Sequence, residues 1–481
     1  MINVEQTNKN YMILESKHIM RSILLLALPI MFSNILKSIH DIVDMYFVSN
    51  LKINPVEVEA MVSAITVTNP IIMIFQSLAS GLMVAGAALM SQYIGAGRHE
   101  KARLTSAQLL SLCIFIGIAF NVILFFSTGP ILSLMGAEGL VYKYAKEYVT
   151  IRSFELTGLF AFFAFQATRQ SMGDTLTPVI LNVGSVLINI VLTGIMVGKF
   201  QLAGAAYATV IGNMIIIPVC FIMMTKTKNE EMKLKFSDMK PNMKVIGKLF
   251  KLGLPAAMSQ AFTSLGFLII NSIILGFEPY IISGIGVGNR INGILLFPAM
   301  GVGTVLATFI GQNIGAGNIE RAKKCFVSAL VLSLIITVVG SVILFFVSEE
   351  MAMIFIKDNP KALESCVNYL YFLIVGLPLM GLFQIFVGLF QGAGRTDYSL
   401  ILSALRLWVL RIPVILLYIH VFNIGEASVW YAMVISNFGA TIIGIILYQF
   451  VDYLPRTSNM KKKLLELEGE DENGRINQTV S

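Results

Sequence analysis

Two carboxylates stand in a stretch that is otherwise apolar enough to cross a membrane. Asp41 and Asp44 lie three residues apart, so on a helix they share a face, with His40 one turn before Asp44 on the same side. A carboxylate in a low-dielectric cavity holds a proton more readily than one in water, and a neighbouring acid strengthens this for one of the two. Such a pair can load a proton, or a Na⁺ at Asp44, from water on one side and release it on the other. The competing reading leaves both acids solvated near the outer end of a tilted helix. Ionisable residues inside spans are functional by default, which favours the first reading for Asp44.

Other polar groups recur inside apolar stretches. Asn34 and Gln260 each follow a Leu-Pro pair (Leu28-Pro29 and Leu254-Pro255), and Asn69 and Asn289 form a second matched pair. Hydrogen bonding between helices explains them at low cost; lining a cavity is the alternative. Arg152 and Glu155, at i and i+3, read as an internal salt bridge, whereas Arg290, Arg406 and Arg411, in the eighth and eleventh apolar stretches, are harder to assign.

These residues need a scaffold of membrane helices. Of 481 residues, 56% are hydrophobic and 13% charged, with a mean hydropathy of +0.77, which excludes a water-soluble domain. Apolar stretches fall at about 20–48, 59–93, 104–128, 141–168, 176–198, 202–225, 247–276, 280–313, 325–347, 363–391, 398–419 and 427–453. Each is long enough to span, since a crossing needs roughly 20 residues. The expected fold is therefore an all-α polytopic membrane protein of twelve transmembrane helices. Alternating ten-residue strands are not evident, which disfavours a barrel. Cys113, Cys220, Cys325 and Cys366 are far apart and show neither a disulfide nor a zinc pattern.

Most Lys and Arg fall at the N-terminus, in the even-numbered loops and at the C-terminus, so both termini are expected in the cytoplasm. The lysine-rich segment 226–246 would lie beside anionic lipid headgroups of the bilayer. The basic balance, formally +7, then requires no nucleic acid. A Lys/Glu-rich tail follows from 454 to 481, and residues 1–19 carry no signal-peptide pattern.

The chain repeats itself. The segment from Gly81, GLMVAGAALMSQYIGAGRHEKAR, aligns without gaps to GVGTVLATFIGQNIGAGNIERAK from Gly301, and RQSMGDT at Arg169 aligns to FQGAGRT at Phe390. An even number of spans separates equivalent points, so two six-helix lobes, 20–225 and 247–453, share one orientation about a pseudo-twofold axis along the membrane normal. Lobes that enclose a midplane cavity and rock against each other are the architecture of secondary transporters. No GxxxxGK[ST] or HExxH pattern occurs, so neither an ATP-driven machine nor a zinc-dependent membrane enzyme is indicated. The triplets at Gly95–Gly97 and Gly315–Gly317 read as helix ends closed by glycine, not as phosphate cradles.

On these residues the sequence resembles the MATE (multidrug and toxic compound extrusion) transporters over nearly its whole length. The resemblance rests on Gln92 to Gly97 and Gln312 to Gly317, on Asp44 followed by Phe47-Val48, on Leu28-Pro29 and Leu254-Pro255, and on Gly173-Asp174-Thr175. It implies a cation-coupled antiporter with no cofactor, in which inward H⁺ or Na⁺ drives organic, usually cationic, compounds out across a bacterial cytoplasmic membrane. Residue by residue, Asp44 matches the family's N-lobe coupling acid, with Asn189 and Thr209 as its polar companions. The second N-lobe acid is missing where Leu192-Thr193-Gly194 stands, and Asp41 is expected to replace it. A monomer suffices, because one chain supplies both lobes. A flippase for a lipid-linked polyisoprenoid substrate is the alternative, and it would need a strongly cationic cavity. The 25 Met and 32 Phe suit an adaptable wall, although of the rings in Leu159–Phe165 at most one stripe can face a cavity.

Overall fold

The computed structural model describes residues 11–227, 232–356, 359–453 and 456, without the side chains of 37–44. The described residues contain helices and no strand. The first half comprises α1 (Ile19–Ser49), α2 (Pro55–Gly95), α3 (His99–Leu134), α4 (Gly139–Arg152), α5 (Glu155–Ser171) and α6 (Leu176–Thr225). The second comprises α7 (Met243–Ile274), α8 (Pro279–Gly315), α9 (Ile319–Met353), α10 (Pro360–Gly392), α11 (Thr396–His420) and α12 (Ala427–Gln449). Asparagine side chains cap several of these helices. Asn54 accepts from Val56 N ahead of Pro55, and Asn359 accepts from Ala362 N ahead of Pro360, placing proline where no helical N–H is lost.

Among the described residues ten helices are long and apolar enough to cross a bilayer, and α4 with α5, bent by 45° at their junction, are together long and apolar enough for an eleventh crossing. The twelfth lies inside α6. Its 50 residues would extend about 75 Å if straight, more than twice the hydrocarbon core. Instead it folds back at Gln201 (φ 53°, ψ −132°), so that Asn189 Nδ2 reaches Thr209 Oγ1 at 3.1 Å and Ser185 Oγ reaches Asn213 Oδ1 at 3.1 Å. Residues twenty or more apart in a helix can meet this way only if its two limbs are antiparallel. Gly204, which packs on the Met196 carbonyl, lets those limbs approach closely. Pro29 and Pro255 lie within continuous helices α1 and α7.

The repeat becomes physical where the lobes meet. Gly81 packs against Ala257, and its counterpart Gly301 packs against Met31 and the Ala27 carbonyl. Farther along the same helices, Gly95 lies on the carbonyl of Gln312 and Gly315 on the carbonyl of Gln92. Both helices then stop in the same way. Gly97 (φ 67°) and Gly317 (φ 77°) adopt the left-handed conformation, and Arg98 N and Asn318 N bond back to the carbonyls of Tyr93 and Asn313. These approaches all lie in the last half of α2 and α8. Their first halves pack within their own lobes, Met61 and Ala64 in one and Ile281 and Ile285 in the other. The lobes thus converge at the GAG end and part toward the opposite one.

Each lobe is sealed at the GAG end by a segment that precedes the other lobe. Ile13, ahead of the first lobe, is fully buried under the second, where Arg321 Nη2 donates to Ser16 O at 2.8 Å and Asn313 Nδ2 to Ile13 O at 3.3 Å. Met232, Leu234 and Asp238, ahead of the second lobe, pack under the first, where Arg103 Nε meets Asp238 Oδ2 at 2.8 Å.

Candidate functional site

Three helices of the first lobe (α1, α5 and α6), with the α4–α5 junction and Gln76 of α2, enclose a polar cavity of about 210 Å³. Asn34, Thr209, Asn182, Asn213, Gln166 and Gln170 supply most of its hydrogen-bonding groups. Arg152 and Glu155 also line it. They form a two-pronged ion pair, Nη2 to Oε1 at 2.6 Å and Nε to Oε2 at 3.2 Å, across the break between α4 and α5, as their spacing predicts. The pair cancels its own charge. Of the phenylalanine run, Phe162 and Phe163 face the cavity with Leu159, whereas Phe160 and Phe165 are wholly buried in packing.

The fold-back of α6 brings Asn189 and Thr209 together, and the orientation of the Asn189 amide is set by its partner. Thr209 Oγ1 donates to Ala205 O at 3.0 Å, so it can only accept from Asn189 Nδ2. Asn189 Oδ1 is therefore left buried with no hydrogen-bond partner. An orphaned buried acceptor is costly, at about 1–3 kcal/mol, and calls for a cation or a donor. Helices α1 and α6 run side by side in parallel: Asn182 Nδ2 donates to Ser33 Oγ at 3.1 Å, and Phe47 packs over Gly194. Asp44, three residues before Phe47, thus belongs to the turn of α1 that faces the Asn189–Thr193 stretch of α6. The side chains of His40, Asp41 and Asp44 lie outside the described residues.

A second cavity, of about 150 Å³, lies between the lobes among α2, α7, α8 and α10. Gln260 lines it with Gln170, Gln384 and Gln391. The matched pair Asn34 and Gln260 therefore serves two different cavities. Asn69 and Asn289 are exposed and line neither; Asn289 Oδ1 accepts from Tyr369 Oη at 2.8 Å. Arg290 is exposed as well, whereas Arg406 and Arg411 are buried in the second lobe. Sequence reading missed Gln166, Gln170, Asn182 and Asn213. The available signal was an amide inside an apolar stretch, the same one that marked Asn34.

Two lobes of membrane helices around a polar cavity and an inter-lobe cavity define a polytopic transporter fold. Comparison with known proteins narrows the class. The family model MatE matches residues 29–195 and 255–417, one match in each lobe, and the chain belongs to that family of transporters. It is 27% identical over 448 residues to the probable multidrug resistance protein NorM of Thermotoga maritima, covering 89% of this chain and 91% of the relative. It is 24% identical to the multidrug export protein MepA of Staphylococcus saprophyticus, covering 94% and 98%. Among solved structures it resembles the outward-facing conformation of a multidrug resistance MATE family transporter of the MOP superfamily, with a TM-score of 0.83 at 22% identity, covering 93% of this chain and 99% of that one. It is a multi-pass membrane transporter, not an enzyme.

Proposed function

We propose that this protein is an antiporter, driven by inward H⁺ or Na⁺, that exports amphipathic organic cations across the cytoplasmic membrane by alternating access, with both termini cytoplasmic. The observation that carries the proposal is the unpaired oxygen of Asn189, held in a fixed orientation beside the turn of α1 that bears Asp44. Asp44 carries the proton; if the ion is Na⁺, the oxygens of Asp44, Asn189 and Thr209 are its hard ligands. Asp41 stands in for the missing acid of α6. The relatives' multidrug names support export of small organic molecules, as does the pairing of polar amides with Phe162 and Phe163 in one cavity. They do not favour the lipid-linked flippase. Such a substrate needs a cationic cavity, and Arg152, the one arginine lining either cavity described above, is neutralised by Glu155.

Coupling follows if cation and substrate prefer different lobe arrangements, because each then lowers the other's affinity by the same factor. One charge moving inward contributes about 2.3 kcal/mol per 100 mV. Both cavities are smaller than the roughly 300 Å³ of a drug-sized pocket, so substrate binding requires the helices around them to move apart. The test is purified protein in liposomes with a fluorescent organic cation, under a pH gradient and, separately, a Na⁺ gradient. Dye movement under one gradient, lost in Asp44→Asn and reduced in Asn189→Leu, is the expected result. Undiminished coupled movement in Asp44→Asn removes this site from the mechanism.

A further inference from the structure

The second lobe buries two positive charges on one short segment. Arg406 and Arg411 both lie on the π-helical segment Leu405–Arg411 within α11, and both are almost fully buried, at 3% and 5% exposure. Neither has a carboxylate partner among the described residues. Arg411 donates to neutral acceptors, Nε to Ser436 Oγ at 2.8 Å and Nη2 to Asn437 Oδ1 at 2.7 Å. Arg406 lies over the Phe383 ring at 4.0 Å, and its buried Nε has no hydrogen-bond partner. Since Asn437 Oδ1 is committed to an arginine that can only donate, Asn437 Nδ2 points elsewhere, and it too is buried and unbonded. The unsatisfied atoms on this pair of groups are thus N–H donors, next to two positive charges.

We propose that the second lobe binds a small monovalent inorganic anion, of the halide class, at Arg406, Arg411 and Asn437. An isolated charge inside a span is too costly to stand alone and is normally paired or hydrated. Arg406 and Arg411 are five residues apart on a segment whose bonds run i to i+5, so little more than one turn of α11 separates the two cations. That arrangement suits one anion between them. Both arginines are almost fully buried, which favours a small anion.

The position in the fold strengthens the inference. Thr396 repeats Thr175, and the same offset carries Ser185 to Arg406; with the one extra residue of the π-turn it carries Asn189 to Arg411. In the first lobe this position presents an unpaired acceptor, Asn189 Oδ1; in the second it presents unpaired donors and positive charge. The corresponding positions of the two lobes are therefore of opposite polarity.

The test is the unfolding midpoint of the purified, detergent-solubilised protein, titrated with sodium chloride and sodium bromide against sodium gluconate at constant ionic strength, and with sodium acetate. A saturable rise with halide, absent with gluconate and lost in Arg406→Gln, is the expected result. Where Arg406→Gln does not fold, anomalous scattering from crystals of the unaltered protein in bromide locates the ion, with a peak between the two guanidinium groups expected. Equal stabilisation by gluconate overturns the proposal, as does a halide response that survives both Arg406→Gln and Arg411→Gln, or bromide found only elsewhere. A saturable response to acetate and none to halide also overturns it, and assigns the cations to a carboxylate.

Discussion

Gln92 and Gln312 make the same inter-lobe bond twice, once in each direction. Gln92 Nε2 donates to Gly392 O at 3.2 Å, and Gln312 Nε2 donates to Ser171 O at 2.7 Å. The two differ in their other atom: Gln92 Oε1 accepts from Arg456 N at 2.8 Å, whereas Gln312 Oε1 has no partner. A buried hydrogen bond contributes about 1 kcal/mol net, or about fivefold in an equilibrium between closed and open GAG ends. Gln312→Ala is expected to raise the open population by about that factor, and Gln92→Ala, which loses two bonds, by more. Spin labels on cysteines replacing the exposed Lys101 and Lys324, with the four buried native cysteines changed to alanine, read the distance distribution. Equal weights in all three proteins would contradict this account.

Gly95 and Gly315 set how closely the lobes approach. A β-carbon at either position would collide with the backbone of Gln312 or Gln92, which cannot swing aside as a side chain can. Each glycine is the last residue of its helix and has no positive φ, so alanine is compatible with the local backbone. Gly95→Ala and Gly315→Ala should therefore fold and insert normally, yet fail to close at the GAG end and lose transport. Normal turnover in liposomes would mean that closure does not require this contact.

The ion pair of Arg152 and Glu155 is 14% and 2% exposed, so each charge depends on the other. Glu155→Gln strands the arginine and should cost about 3–5 kcal/mol, lowering the unfolding midpoint sharply. Replacing both residues by leucine should cost much less, because no unpaired charge remains. A double variant as unstable as Glu155→Gln would show that packing, and not charge, holds the α4–α5 break.

Gln201 occupies a backbone conformation that L side chains rarely adopt, at the reversal of α6. Glycine has no such penalty, so Gln201→Gly should stabilise the fold by up to about 1 kcal/mol, whereas the β-branched Gln201→Val should destabilise it by at least as much. Thermal unfolding of the two variants in detergent checks the sign. Two shifts of the same sign would place the reversal's strain elsewhere.

Much of this architecture was legible in the linear sequence. Apolar runs of twenty or more residues follow from bilayer thickness, so the twelve crossings could be read without coordinates, including the division of α6 between 198 and 202. The repeat gave two lobes in one orientation, and the GAG triplets gave the helix ends, because left-handed closure is a local property of glycine. The i, i+3 spacing gave the pairing of Arg152 with Glu155.

What folding alone decided is which polar groups meet. Asn34 and Gln260 are equivalent in sequence but open into different cavities, since one lies inside a lobe and the other between lobes. The orphaned oxygen of Asn189 depends on its amide nitrogen meeting Thr209, a contact made only after α6 reverses. The π-turn that carries Arg406 and Arg411 is invisible in composition, because one inserted residue shifts register without changing hydropathy. Spans are fixed by the chain's energy of transfer into lipid, residue by residue. Sites are fixed by contacts between helices, which the order of residues along one helix does not specify.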